Sequence, residues 1–180
     1  MKRDINKVDD TIITAKRLIK QKLYSDSDII EVLNNPNLNP EEPDSYVGKN
    51  IFDYIRIPGT ITEPTNYICF DIKQNSIAQY NSYVKEMYYI FNVYVHQDNI
   101  DTPYGMSRHD LLGYLIRDIF NYSNFMGNQL ELKSDTPGIM DEYSSSRSLI
   151  FKTNTTNSLN RAVRTNKYEF SDMVEDNNGF

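Results

Sequence analysis

The sequence is poor in the residues from which disulfides and most metal centres are built. Its 180 residues include one cysteine, two histidines and no tryptophan. Because Cys69 is alone, an intrachain disulfide and a thiolate-rich metal site are excluded. Its neighbours, Ile68 and Phe70, predict a small buried residue on a strand. The sequence therefore predicts no structural metal and no covalent staple.

Long hydrophobic runs are also missing. No apolar run approaches the about 20 residues that cross a bilayer as a helix, and the first residues lack the apolar core of a signal peptide. We therefore expect no contact with a membrane and synthesis in a cytoplasm-like compartment. The net charge of −6 argues against a groove that grips nucleic acid, because such grooves cluster lysine and arginine to neutralise phosphates.

Familiar catalytic motifs are absent from the sequence. There is no G-x-x-x-x-G-K-[ST] phosphate loop, no G-x-G-x-x-G turn and no G-x-S-x-G elbow. His96 with Asp98, and His109 with Asp110, could be imagined as a hydrolytic metal site. Such a site needs three or four converging ligands, and adjacent residues on a helix point in different directions. Surface or structural roles are therefore the favoured interpretation of both histidines.

One short motif matches part of an enzyme signature. Glu131-Leu132-Lys133 is the E-x-K half of a nuclease motif in which carboxylates hold Mg²⁺ and a lysine supports the nucleophile. The second acid is not found on a preceding strand, since the nearest candidates, Asp110 and Asp118, fall on a predicted helix. We therefore predict no catalytic, cofactor-binding or metal-binding residues and expect that the chain is not an enzyme.

The order of predicted elements is that of an α+β protein, with a mainly antiparallel sheet packed against a central helix. We expect one domain over residues 1–170, composed of a helical segment (1–34), a proline-rich arm (36–66) and a sheet-and-helix core (67–170). A flexible acidic tail follows at 171–180. Within the helical segment, a break at Tyr24–Asp28 offers Ser25 or Ser27 as the N-cap of a second helix.

The proline-rich arm holds most of the seven prolines of the chain and is predicted to contain a short strand around Tyr54–Ile57. It also carries large apolar residues, too many for a free linker. The arm could pack on its own domain or on a neighbour, and we favour burial across a subunit boundary. The predicted interface residues of the arm are Tyr46, Ile51, Phe52 and Tyr54.

The strongest strand patterns lie at Tyr67–Lys73 and Glu86–Gln97. In the second, alternate residues form a core face and a half-polar, tyrosine-rich face that meets water or a partner. The predicted core face is Met87, Tyr89, Phe91, Val93 and Val95. Two further strands, Leu130–Lys133 and Leu149–Asn154, are predicted on either side of a polar loop, and Arg164–Phe170 could add an edge strand.

A helix is predicted to begin after Ser107, which has capping-box spacing to Asp110. Its apolar stripe consists of Leu111, Leu112, Leu115, Ile116, Ile119 and Phe120. Its polar residues, Arg108, His109, Arg117 and Asp118, are expected mostly to face away from the core. We add Arg108 and Asp110, together with Arg164 and Tyr168 in the last extended stretch, to the predicted subunit interface.

The segment from Met87 to Phe120 resembles small connector proteins at the neck of tailed bacteriophages. It reads as a long strand (MYYIFNVYVHQDN), a turn with Gly105 and a helix that opens Arg108-His109-Asp110-Leu111-Leu112. Tail terminators and tail-completion proteins have such a strand, followed by a "Gly-x-x-Arg-x-Asp-x-Leu" turn and a helix packed on the sheet. Elsewhere only the order of elements agrees, and the helical segment and the arm exceed the minimal version of that fold.

The resemblance implies a homo-oligomeric ring, commonly hexameric, in the virion. Its partners would be other copies of itself, the neighbouring neck or connector ring and the tail tube protein, with DNA only passing through the lumen. No cofactor and no turnover are implied. Alternatives are another phage structural role (head closure, adaptor, baseplate or minor capsid), a Mg²⁺-dependent nuclease and a cytosolic binding protein.

Overall fold

The computed structural model describes residues 10–56, 65–75, 84–141 and 143–156, and their arrangement is α+β as the sequence predicts. Within these residues, the strands of the main sheet are β1 (Ile51–Phe52), β2 (Tyr67–Asn75), β3 (Val84–His96), β6 (Glu131–Asp141) and β7 (Ser144–Thr156). Their order across the sheet is β1-β2-β3-β7-β6, with β1 and β2 parallel and the other neighbouring pairs antiparallel. A separate hairpin pairs β4 (Asn124–Phe125) with β5 (Asn128–Gln129).

Strand β3 is the centre of the sheet, because it pairs with β2 on one side and with the whole of β7 on the other. The core face predicted for it is confirmed, since Met87, Tyr89, Phe91, Val93 and Val95 are all buried. On the opposite face the side chains are half-buried, except for Tyr94, which is buried. Alternation along a strand thus divides the sheet into a core face, covered by the helices, and a back face.

The prediction of a polar loop between Leu130–Lys133 and Leu149–Asn154 is wrong. Asp135, Pro137 and Gly138 lie within β6, and Ser144 begins β7. The backbone of the serine-rich first half of β7 pairs with β3, because backbone hydrogen bonds do not depend on the side chains. The hairpin of β6 and β7 therefore extends as far as His96, the last residue of β3. Pro137 is tolerated because β6 is an edge strand, where a missing N–H can face away from the ladder.

The first two helices are α1 (Thr11–Tyr24) and α2 (Ser27–Leu33). The predicted break between them is present, but neither predicted serine caps the second helix. Asp26 does so instead, since its carboxylate accepts the backbone N–H groups of Asp28 and Ile29, both at 3.0 Å. A carboxylate at this position also suits the positive end of the helix dipole.

The third helix, α3 (Arg108–Phe120), begins where the sequence predicts. Leu112, Ile116 and Phe120 are fully buried, whereas Leu111, Leu115 and Ile119 are only partly buried against the core. The capping box is incomplete, because the Ser107 hydroxyl donates to the Asp110 carboxylate and makes no bond to the helix backbone. One row of the apolar stripe therefore packs into the core, and the second row lies near the surface.

The described part of the arm, residues 36–56 with 65 and 66, packs on its own chain. Its strand is β1, and Tyr54 and Ile55, where the strand was expected, are irregular; Ile57 lies outside the described residues. Tyr46 is 1% and Ile51 0% exposed, and both belong to the main core. The expectation that a neighbouring subunit buries these side chains is therefore corrected.

Three buried or half-buried asparagines, which the sequence analysis did not single out, fix the arm. The Asn35 amide donates to the Asn50 side chain at 2.7 Å, and the Asn50 amide donates to the backbone carbonyl of Asn66 at 2.8 Å. The Asn66 amide in turn donates to the backbone carbonyl of Leu33, at the end of α2, at 2.9 Å. Buried amides with such partners tie the arm to α2 and to the start of β2.

Candidate subunit interface

The four interface residues predicted in the arm lie in different surroundings. Tyr46 and Ile51 belong to the main core, and Phe52 is 3% exposed within a second cluster on the back face. Only Tyr54 is on the surface, at 52% exposure, with its ring edge-on to Phe52 at 5.6 Å. The predicted interface residues Arg164 and Tyr168, the predicted edge strand that contains them and the acidic tail lie outside the described residues.

Arg108 does not face away from the core, contrary to expectation. It is 7% exposed, and its guanidinium donates to the backbone carbonyls of Val32 (2.5 Å), Asn99 (2.6 Å) and Asp101 (3.2 Å). Burial lowers the pKa of this guanidinium, and the three carbonyls compensate for the lost hydration. Arg108 therefore joins the end of α2 to the loop before α3 and is not available to another subunit.

The loop held by Arg108 presents two large side chains to solvent. Tyr104 is 56% and Met106 52% exposed, on either side of Gly105, whose φ of +74° favours glycine. The Thr102 hydroxyl donates to the Met106 carbonyl at 2.6 Å and closes the turn. The Tyr104 hydroxyl donates to the Glu31 carboxylate on α2, and this hydrogen bond raises the pKa of Tyr104.

Beside this loop, α2 and α3 leave an open groove of about 280 Å³. We call it the acid-rimmed groove, because two carboxylates stand beside an apolar wall. Its lining is Asp28, Glu31, Val32, Tyr104, Met106, Leu111 and Leu115. Neither Asp28 nor Glu31 forms an ion pair within the part of the chain that the structure describes. An exposed apolar surface with a polar rim has the composition of a protein-binding site.

The predicted interface residue Asp110 belongs to a charge network between α3 and the sheet. Arg147 on β7 donates to the Asp110 carboxylate at 2.9 Å and to both oxygens of Asp135, on β6, at 2.7 and 2.8 Å. The hydrogen bond from Ser107, together with the nearby Arg147, lowers the pKa of Asp110. Asp110 remains half-exposed, so it supports its own fold and still borders the surface.

Gly113 is what allows Arg147 to cross under α3. A Cβ atom at this helical position would lie 2.5 Å from Arg147 Cδ, closer than two carbon atoms approach without a shift. Sequence reasoning missed both Arg147 and Gly113. The available signal was a glycine in the middle of an otherwise strong helical pattern, where glycine usually has a packing reason.

The residues considered for chemistry do not converge. Glu131 and Lys133 are paired with each other at 2.5 Å, and the His96 ring accepts a hydrogen bond from the backbone of Asp98 at 3.2 Å. Over residues 10–56, 65–75, 84–141 and 143–156, no three His, Cys, Asp or Glu side chains lie close enough to share a metal ion. Cys69 is buried as predicted, and burial raises the pKa of its thiol.

One protein-family model matches most of the described chain. The family model named YomW matches residues 26–153. The chain belongs to the YomW family. The match includes α2, α3, the acid-rimmed groove and the main strands, and it ends within β7. The family name is a phage-derived one, which supports a phage protein and does not specify a position in the particle.

No curated protein matches the chain. None of the described helices has the length and hydrophobicity needed to cross a bilayer.

Proposed function

We propose that this YomW-family protein is a structural subunit of a phage particle that assembles with other copies into a ring at the head–tail neck. The observation that carries the proposal is the acid-rimmed groove beside the exposed Tyr104 and Met106. Aromatic residues and methionine are enriched where proteins meet. The phage-derived family name supports the viral setting.

The arrangement of β3, the loop and α3 supports the neck position within this proposal. The segment that resembles tail terminators folds as a long strand, a turn at Gly105 and a helix packed on the same sheet. The proposed partners are other copies of the chain, the adjacent neck or connector ring and the tail tube protein, with DNA passing through the lumen. The ring needs no cofactor and performs no turnover.

Native mass spectrometry and sedimentation velocity test the ring directly. A ring gives a discrete species at a multiple of the 21.0 kDa chain mass, and a hexamer is the expected size. Negative-stain images of that species should show a closed annulus. A chain that stays monomeric across the accessible concentration range, alone and with the tail tube protein, would contradict the proposal.

The position in the particle is tested by the partner that the ring captures. Purified tail tube protein and purified head-side connector are offered separately, and a neck ring that terminates the tail binds the tube protein. Capture by capsid protein alone, with neither neck partner bound, would instead favour the alternative role as a minor capsid or head-closure protein.

A further inference from the structure

The outer face of α1 carries cations that no described residue neutralises. Arg17, Gln21 and Lys22 are exposed, and Leu18 beside them is 37% exposed. By contrast, Lys16 and Lys20 on the inner side of the same helix pair with acids of their own chain. Within the described part of the chain, neither Arg17 nor Lys22 forms an ion pair.

This face of α1 and the acid-rimmed groove have opposite charges and both have apolar surface. The groove offers Asp28 and Glu31 beside Met106, Leu111 and Leu115. A helix that lays an apolar side chain in a groove, with its cations over the acidic rim, is a common recognition mode. Two grooves facing each other would instead bring four carboxylates together, which like-charge repulsion disfavours.

We propose that the outer face of α1 (Arg17, Leu18, Gln21, Lys22) docks into the acid-rimmed groove of a second copy of this chain. The inference rests on the ring proposed above and names the contact that builds it. Because the two surfaces are different, each copy uses its helix on one neighbour and its groove on the other. Such a heterologous, head-to-tail contact generates a closed ring when the rotation between copies closes.

Charge reversal on each surface tests this contact. The helix variant carries Arg17→Glu and Lys22→Glu, and the groove variant carries Asp28→Lys and Glu31→Lys. Each variant alone should lose assembly, with the association weakened at least about tenfold in sedimentation velocity. Mixing the two should restore assembly with alternating subunits, because the acidic helix of one variant then meets the basic groove of the other.

The control matched to the helix variant carries Lys49→Glu and Lys73→Glu, which changes the net charge as much and in the same direction at two exposed lysines elsewhere. It should assemble like the unmodified chain. If circular dichroism shows that the groove variant is unfolded, Met106→Glu replaces it, since Met106 is half-exposed on the loop. That variant should also remain monomeric.

The outcomes separate this inference from the ring itself. If the unmodified chain assembles and both charge-reversal variants, or Met106→Glu, assemble equally well, the helix-in-groove contact is wrong and the ring proposal is unaffected. When both charge-reversal variants are folded, loss of assembly in each without recovery on mixing would also overturn the contact. An unmodified chain that is monomeric at every concentration would overturn both.

Discussion

At the scale of single residues, Arg108 joins more separate parts of the chain than its position at the start of a helix suggests. Its guanidinium contacts the backbone of α2 and of the loop before α3. Truncation of the Arg108 side chain would leave the buried carbonyl of Val32 without its hydrogen-bond donor. An unsatisfied buried carbonyl lowers the stability of the fold more than the loss of a hydrogen bond at the surface does.

We expect Arg108→Ala to lower the free energy of unfolding by about 2–4 kcal/mol, because it removes charge-assisted hydrogen bonds from a buried site. Urea denaturation measures the change. Arg117→Ala is the control, since Arg117 is 41% exposed and 3.7 Å from Asp135, and it should cost less than about 1 kcal/mol. Equal losses in the two variants would contradict the role assigned to Arg108.

Gly113 and Arg147 are coupled, so the effect of Gly113→Ala on stability should change sign when Arg147 is replaced. Gly113→Ala alone should destabilise the fold, because the new Cβ displaces the Arg147 side chain from its bonds to Asp110 and Asp135. In an Arg147→Ala background the obstacle is gone. The same change should then stabilise the helix by up to about 1 kcal/mol, the usual difference in helix propensity between alanine and glycine.

A double-mutant cycle based on urea denaturation measures this coupling. Additive effects of the two substitutions would show that Gly113 is not required for the passage of Arg147. Retention of the Gly113→Ala penalty without Arg147 would lead to the same conclusion.

At the scale of elements, α3 has two rows of apolar residues, one buried in the core and one partly exposed. Ile116 is 0% exposed in the main core, whereas Leu115 is only partly buried and lines the acid-rimmed groove. The apolar stripe of the sequence contains both residues without distinguishing them, since helical periodicity defines a face and not what covers it.

Ile116→Ala should therefore lower the free energy of unfolding by about 2–5 kcal/mol, as for a large-to-small change in a core. Leu115→Ala should cost clearly less, because water already reaches part of that side chain. Thermal unfolding of the two variants side by side provides the measurement. A larger loss for Leu115 than for Ile116 would contradict the burial described for α3.

At the scale of the whole molecule, the arm is part of the same hydrophobic core as the helices and the sheet. Tyr46 and Ile51 lie in the cluster that also contains Phe91 of β3 and Ile116 of α3. In the described part of the arm, a short 3-10 helix (Pro43–Tyr46) and β1 place Tyr46, Ile51 and Phe52 in buried positions.

Ile51→Ala should accordingly destabilise the dissociated chain by about 2–5 kcal/mol, because the side chain is fully buried without any neighbour. Tyr54→Ala is the matched surface change in the same segment and should cost no more than about 1 kcal/mol, since it removes only the edge-on contact with Phe52. Hydrogen exchange in dilute solution should show protection of the Ile68 amide, which donates to the Asn50 carbonyl at 2.7 Å. Full exchange there, with protection only in assembled protein, would restore the arm to an inter-subunit role.

The sequence predicted the main elements better than the site. Hydrophobic periodicity located α3 and the two faces of β3, because a buried face imposes a pattern on the chain itself. The β6–β7 hairpin was predicted too short, since its serines and its proline carry no strand pattern. In the fold the serines of β7 pair with the long strand β3, and Pro137 of β6 lies opposite Arg147 of β7. Among the predicted interface residues, Tyr54 and Asp110 reach the surface of the fold, and Arg108 does not.

The sequence by itself determined the α+β class, the start of α3, the burial of Cys69 and the scarcity of material for a metal or thiol site. Each of these follows from local spacing or from residue counts, which the chain carries before it folds. Only the tertiary structure decided that Arg108 is buried, that Gly113 gives passage to Arg147 and that the arm packs on its own chain. It also decided that Asp28, Glu31 and Met106 border one groove. These are contacts between distant segments, and their partners are selected by packing, which no local pattern encodes.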